Sequence, residues 1–264
     1  MFRGILHKLI ITADEKGKAI YTLPLEDAQV SLNSLVGESL SLRFLGTISC
    51  TCCGREIRKT YDGGYCYVCF RRIPEADFCS FKPETCHFQL GTCRDPEWGR
   101  RNCLITHTVY LANSSGLKVG ITRSHTEETR WLDQGAVQAL PIVRVTERRH
   151  AGIVETLLKR FVNDKTNWRL LVSKDAQPID LIQERDDLLK SLPERVPIEV
   201  VDESVRSFSY PVERYPEKTS TFDFNKDPVI HDRLIGIKGQ YLLFERGVIN
   251  VRKFGGYHVS LHAG

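Results

Sequence analysis

Cys50-Thr51-Cys52-Cys53-Gly54 and Cys66-Tyr67-Val68-Cys69, with twelve residues between Cys53 and Cys66, form the stretch that decides how this chain is read. Two Cys-x2-Cys pairs at this separation are spaced as metal ligands. A two-residue gap lets one tight turn aim both thiolates at a tetrahedral ion, and Gly54 supplies the permissive backbone such a turn needs. The intervening insert is polar and carries Gly63-Gly64, so it can reverse as a short hairpin. The unit reads as zinc-ribbon-like, with Cys52 inside the first pair as a spectator thiol.

All nine cysteines fall between Cys50 and Cys103. Cys79, Cys86, Cys93 and Cys103 follow at wider spacing, with His87 and His107 nearby, and are expected to form a second four-cysteine site in which either histidine could replace a cysteine. Disulfides are the competing reading of both groups. Met1-Phe2-Arg3-Gly4 opens into no long apolar segment, so a reducing, cytoplasmic compartment is expected and zinc is preferred. Two structural zinc ions are the resulting expectation.

The chain has 264 residues, long enough to bury a core and divide into two or three units. No apolar run approaches bilayer-spanning length, so no membrane partner is expected. The net charge of +4 decides little, but between Arg94 and Arg160 eleven Lys and Arg face seven Asp and Glu, and nine of the eleven are Arg. Arginine suits bidentate phosphate contacts, which points toward DNA or RNA; an ordinary solvated surface is the competing account.

The expected fold class is α+β, in four segments. Residues 1–48 read as β structure, with runs at 6–12, 19–23 and 39–45 and a turn at Glu15-Lys16-Gly17-Lys18, and are expected to pair with a carboxy-terminal β domain. Residues 49–105 form the cysteine-rich region. Residues 106–172 form an α/β core: a hairpin of 108–113 and 117–122, then helices over 126–133 and 147–163, the second with an apolar face of Ile153, Leu157, Leu158 and Phe161. Residues 173–264 supply a helix over 180–191, closed by Pro193 and Pro197, and antiparallel strands at 234–244, 247–253 and 257–261. Gly236 to Tyr241 reads as a bulged edge strand, although glycines flanking Lys238 would also permit close approach of a ligand.

Val109-Tyr110 and Lys118-Val119-Gly120 on the hairpin, Arg130 and Glu155 on the two helices, and Asn167 beyond them resemble the GIY-YIG nuclease module over about sixty residues. The resemblance implies a phosphodiester hydrolase. Glu155 would hold one Mg2+ or Mn2+, Arg130 would clamp the scissile phosphate with Arg123 helping, Tyr110 would position or help deprotonate the water, and Asn167 would close the site. Lys118 stands where that family usually has the tyrosine assigned as general base. A lysine there acts as a base only with a depressed pKa, and otherwise holds phosphate without cutting it.

More of the chain is similar to a bacterial and archaeal family known as a domain of unknown function. The likeness runs through the cysteine pattern, Gly91 to Gly99, His107 to Ala112, Lys118 to Arg123, Arg130 to Ala136 and Asp164 to Trp168. Three functions remain in play: a metal-dependent nuclease with structural zinc, a non-catalytic nucleic-acid-binding protein on a degenerate core, and a zinc-stabilised protein-interaction scaffold.

Overall fold

The computed structural model describes residues 1–26, 28–163, 165–193 and 198–264. Asp164 and Pro197 lie outside the described residues. The fold is mixed α+β with three antiparallel sheets. Residues 1–72 form β1 (Phe2–Ile5), β2 (Ile10–Ala13), β3 (Ala19–Leu25), β4 (Ala28–Ser31), β5 (Ser39–Ser49), β6 (Glu56–Ile57) and α1 (Tyr67–Arg72). Next come α2 (Phe78–Phe81), α3 (Pro96–Asn102), β7 (His107–Asn113), β8 (Leu117–Arg123), α4 (Glu127–Asp133), β9 (Gln138–Val145) and α5 (Arg148–Leu158). The remainder adds α6 (Trp168–Leu171), α7 (Leu181–Lys190), β10 (Glu199–Val200), β11 (Arg206–Ser207), β12 (Val229–Lys238), β13 (Tyr241–Phe244), β14 (Val248–Asn250) and β15 (Tyr257–Ala263).

Two compact units share the chain: residues 1–70, 168–174 and 208–264 form one, and residues 71–167 and 175–207 the other. The division passes through α1, so the two cysteine groups belong to different units, and the helix α7 belongs with the middle of the chain.

In the first unit, one sheet runs β1-β15-β5-β12-β13-β14 with β6 also on β5, and β2-β3-β4 form a second. β3 alternates as a half-buried strand should, with Ala19, Tyr21, Leu23 and Leu25 inward. The turn before it is fixed by the Asp14 carboxylate, which accepts from Lys16 N at 2.9 Å and Lys18 N at 2.8 Å. The run 6–12 does not form one strand, because residues 6–9 break between β1 and β2. The run 247–253 is a strand only through Asn250 and then closes into a 3-10 turn.

β12 is an interior strand between β5 and β13, not an edge, and its register shifts between Leu234 and Gly236. Val212 bridges to Gly236 at this shift, and a Cβ on Gly236 would lie 2.9 Å from Val212 Cα, so glycine is required there. Lys238 is fully buried there, its Nζ donating to Tyr215 Oη at 2.9 Å, so this glycine-flanked lysine is a core group. Close to the start of β15, a Cβ on Gly255 would meet Gly63 O at 2.7 Å, one on Gly64 would meet Gly255 O at 2.8 Å, and one on Gly256 would meet Ser49 O at 2.3 Å. Backbone lies directly on backbone at this point.

In the second unit the sheet runs β10-β9-β7-β8, with β11 also on β9. β7 is buried at every residue, as a central strand covered on both faces must be. Val109 and Leu111 join Val119, Ala151, Val154 and Leu158 in one apolar cluster that seats α5. On the alternate positions, Thr108 Oγ1 donates to Glu127 and the Tyr110 ring meets Trp131 of α4 edge-on at 6.0 Å. The buried face of α5 is Ala151, Val154 and Leu158; Phe161, expected on it, lies past the helix end and is 62% exposed.

Candidate functional site

Cys50, Cys53, Cys66 and Cys69 present sulfurs that all lie within 4.8 Å of one another, a set that could hold a metal ion such as zinc. β5 delivers Cys50 at its end, and α1 carries Cys69. The first turn closes through Gly54 N, which donates to Cys50 O at 2.9 Å, with Gly54 at φ +71°. Cys66 N donates to Cys50 Sγ at 3.1 Å and Cys69 N to Cys66 Sγ at 3.3 Å. Such N–H groups stabilise thiolates, and they are the observation on which a metal fits these residues. Burial works to raise the Cys50 thiol, but backbone N–H groups of Cys66, Cys53 and Cys52 outweigh it and bring it down to about 6. The Cys69 thiol is held up, first by its bond with Cys66. Cys52 is exposed and outside the set.

Cys79, Cys86, Cys93 and Cys103 belong to the other unit and together border a single cavity of about 20 Å³, which Asp77 and His87 also line. Among the described residues, Asp77, Cys79 and His87 form the second close group of potential metal ligands. Burial, with Asp77 adding, pushes the Cys79 thiol up to about 11, and burial also raises Cys103. His107 is not at this cavity's lining; its Nδ1 faces Ile105 O at 2.7 Å.

A third constellation gathers on the hairpin. Tyr110 and Gly120 are opposite each other in register, and a Cβ on Gly120 would lie 2.6 Å from Tyr110 Oη, so the phenol ring lies across the glycine. Tyr110 is fully buried; its hydroxyl donates to Gln134 Oε1 at 3.2 Å and is also bonded to Arg130. Burial raises its pKa, with Arg130 opposing and the nearby Glu155 carboxylate reinforcing. Lys118 is only 3% exposed, and its Nζ donates to the same Gln134 oxygen and to Thr166 Oγ1 at 2.8 Å. Glu155 is paired with Lys159 at 3.2 Å.

Of the residues singled out, Tyr110, Lys118, Arg130 and Glu155 therefore converge. Arg123 turns to α3 instead, where it donates to Asn102 Oδ1, and Asn167 is exposed, its backbone N donating to Ser115 Oγ at 2.9 Å. Gln134, which ties Lys118 to Tyr110, and Thr166, which holds Lys118, lie within the shared stretches Arg130 to Ala136 and Asp164 to Trp168, but their role emerges only from the fold. No helix among the described residues is long and apolar enough to cross a membrane.

Compared with curated proteins and with solved structures, the chain matches none. A family model described as "Protein of unknown function (DUF2797)" matches residues 37–259, most of the chain. The chain belongs to the DUF2797 family.

Proposed function

We propose that the chain is a divalent-metal-dependent phosphodiester hydrolase acting on DNA or RNA through a GIY-YIG-like core, with structural zinc in a ribbon-like Cys50–Cys69 unit. The observation that carries this reading is the convergence of Tyr110, Arg130 and Glu155 from a hairpin strand and two different helices. An apolar core needs none of the three polar groups. The strand order β8-β7-β9, with helices following β8 and β9, supports the same reading.

In this reading Arg130, which is exposed, grips the scissile phosphate through its planar fork. Glu155, paired with Lys159 at 3.2 Å, is the carboxylate that would hold a magnesium- or manganese-class ion in place of that ammonium. Such an ion, when bound, supplies neutralisation of charge developing on the phosphate. Tyr110, kept protonated by burial, orients the attacking water by hydrogen bonding and does not act as a phenolate. Lys118 shares Gln134 with Tyr110, and because both donate to the same amide oxygen the pair orients the phenol without supplying a base, so the water's proton leaves to solvent.

Lys118 stands where the motif tyrosine would be, with its Nζ donating to Gln134 and Thr166, and this favours a second reading, a nucleic-acid-binding protein whose Arg130 grips without cutting. The deciding experiment follows cleavage and retention of labelled single- and double-stranded DNA and RNA with Mg2+ or Mn2+, for wild type and Glu155→Ala. Cleavage reduced at least about a hundredfold by the substitution supports the hydrolase. Salt-sensitive retention without cleavage supports the binding protein. Absence of any affinity for nucleic acid favours the interaction scaffold.

A further inference from the structure

The four dispersed cysteines are brought to one place by separate elements. Cys79 lies in α2, Cys86 closes the 3-10 turn of Pro83–Thr85, and Cys103 caps the end of α3. Cys93 precedes that helix, its Sγ so near Gly99 that a Cβ there would lie 3.3 Å away. A cavity of about 20 Å³ accommodates one ion or water-sized group and no organic ligand.

Asp77 and His87 also face this cavity, but their polar atoms are already committed to protein partners. Asp77 Oδ1 accepts from Phe78 N at 2.6 Å, and Oδ2 meets Arg94 Nε at 3.1 Å and His87 Nε2 at 3.4 Å. The remaining nitrogen of His87, Nδ1, is 2.8 Å from Thr92 Oγ1. Cys93 Sγ in turn faces Asp95 O at 3.4 Å and Cys103 is bonded to Arg148, but the four thiols are the soft donors on this lining, and four thiolates with no open position would make a closed tetrahedral site.

What surrounds the cavity is the start of α5. Arg148 N donates to Cys103 O at 2.8 Å, and Arg148 Nη2 donates to Ser80 O at 2.7 Å. One turn on, a Cβ at Gly152 would lie 2.6 Å from Glu84 N and 2.7 Å from Pro83 Cβ, so the loop between Cys79 and Cys86 rests directly on the helix backbone.

We propose that Cys79, Cys86, Cys93 and Cys103 hold a second zinc ion, and that this ion fixes the seat of α5, the helix carrying Glu155. The cation-bearing Arg148 and Arg94 at its margin offset the negative charge of four thiolates around one divalent ion. Asp77 orients His87 and Arg94 around the ion without touching it. The proposal stands whether or not the chain cuts nucleic acid.

The test uses the full chain loaded with Zn2+ alone. Metal analysis should find two zinc ions per chain in wild type and one in Cys86→Ser/Cys103→Ser, with amide exchange over residues 148–158 at least about tenfold faster in the variant. Thiol alkylation of wild type, which needs no variant to fold, should label Cys52 first, and Cys79, Cys86, Cys93 and Cys103 only after chelation. One zinc ion in wild type, or equal labelling of those four thiols before and after chelation, overturns the site. Loss of the second ion in Asp77→Asn or His87→Ala, but not in the cysteine variant, moves it to the mixed set and overturns the ligand assignment. Unchanged exchange in α5 after loss of the ion overturns the seating role.

Discussion

The two cysteine groups are assembled by opposite routes, and the first alone has all four sulfurs within 4.8 Å of one another. Cys50, Cys53, Cys66 and Cys69 are prepared by their own loops, with backbone N–H groups of residues 66 and 69 turned onto sulfur. Cys79, Cys86, Cys93 and Cys103 border their cavity only because α2, α3 and the first turn of α5 meet around it. Local sequence therefore prepares the first site, whereas tertiary packing prepares the second. The first should persist when its surroundings are perturbed, and the second should fail with the helix it adjoins.

The largest effect expected on this contrast comes from removing metal at the first group. Chelation or Cys66→Ala should abolish zinc there and lose structural energy on the order of 10 kcal/mol, read as loss of folding in residues 50–69. Unchanged zinc content and melting temperature in Cys66→Ala would refute the assignment.

Acid should weigh next, through His107 of the second unit. Burial holds His107 neutral with its pKa lowered to about 4 against an ordinary 6.5, Ile105 O opposing and Arg148, Arg123 and His125 adding to the fall. The unfolded chain takes up this proton first, so the contribution is fully present above about pH 6.5 and is lost as the pH falls toward about 4. On the order of 2–3 kcal/mol is at stake. Unfolding free energies of wild type and His107→Gln across that window should diverge as the pH falls, zinc loss being common to both.

Arg148→Ala should cost about 2 kcal/mol by deleting the charged donor to Ser80 O, with faster exchange in α5 and none in residues 50–69. Gly54→Ala should do the reverse. Open space surrounds Gly54, so the cost is backbone alone, about 1 kcal/mol for a side chain at φ +71°, and it should appear in zinc affinity at the first group only. Cys52→Ser, outside both groups, should change melting by no more than about 0.5 kcal/mol and leave zinc content intact.

The same contrast separates what is legible in the sequence from what is not. Hairpin strands 108–113 and 117–122 and the helix over 126–133 carry period and turn cues of their own, and β7, β8 and α4 occupy those stretches within a residue or so. The paired knuckle cysteines announce themselves through spacing. Gln134 and Thr166 fall inside shared stretches without showing their role, because a glutamine past a helix end and a threonine in a loop acquire meaning only when a buried lysine arrives between them. Phe161 misled because helical period continues on paper past Leu158, where the chain instead turns so that Asn163 can bridge to Lys118. The need for glycine at the bulge in β12 comes from Val212 crossing over Gly236, a contact no window of neighbouring residues contains.

The bare backbone crossing of Gly63-Gly64 with Gly255-Gly256 bears on how the protein is made. The knuckle insert is synthesised early, but the surface against which it is pressed belongs to the start of β15, far downstream. During translation the Cys50–Cys69 thiols can come together well before that surface leaves the ribosome, so capture of a metal there would precede final seating. A nascent chain halted before β15 would hold the insert only through β6 on β5 and the bond from Thr51 N to Gly64 O, and release of the later strands adds the crossing that fixes it as a corner of the sheet.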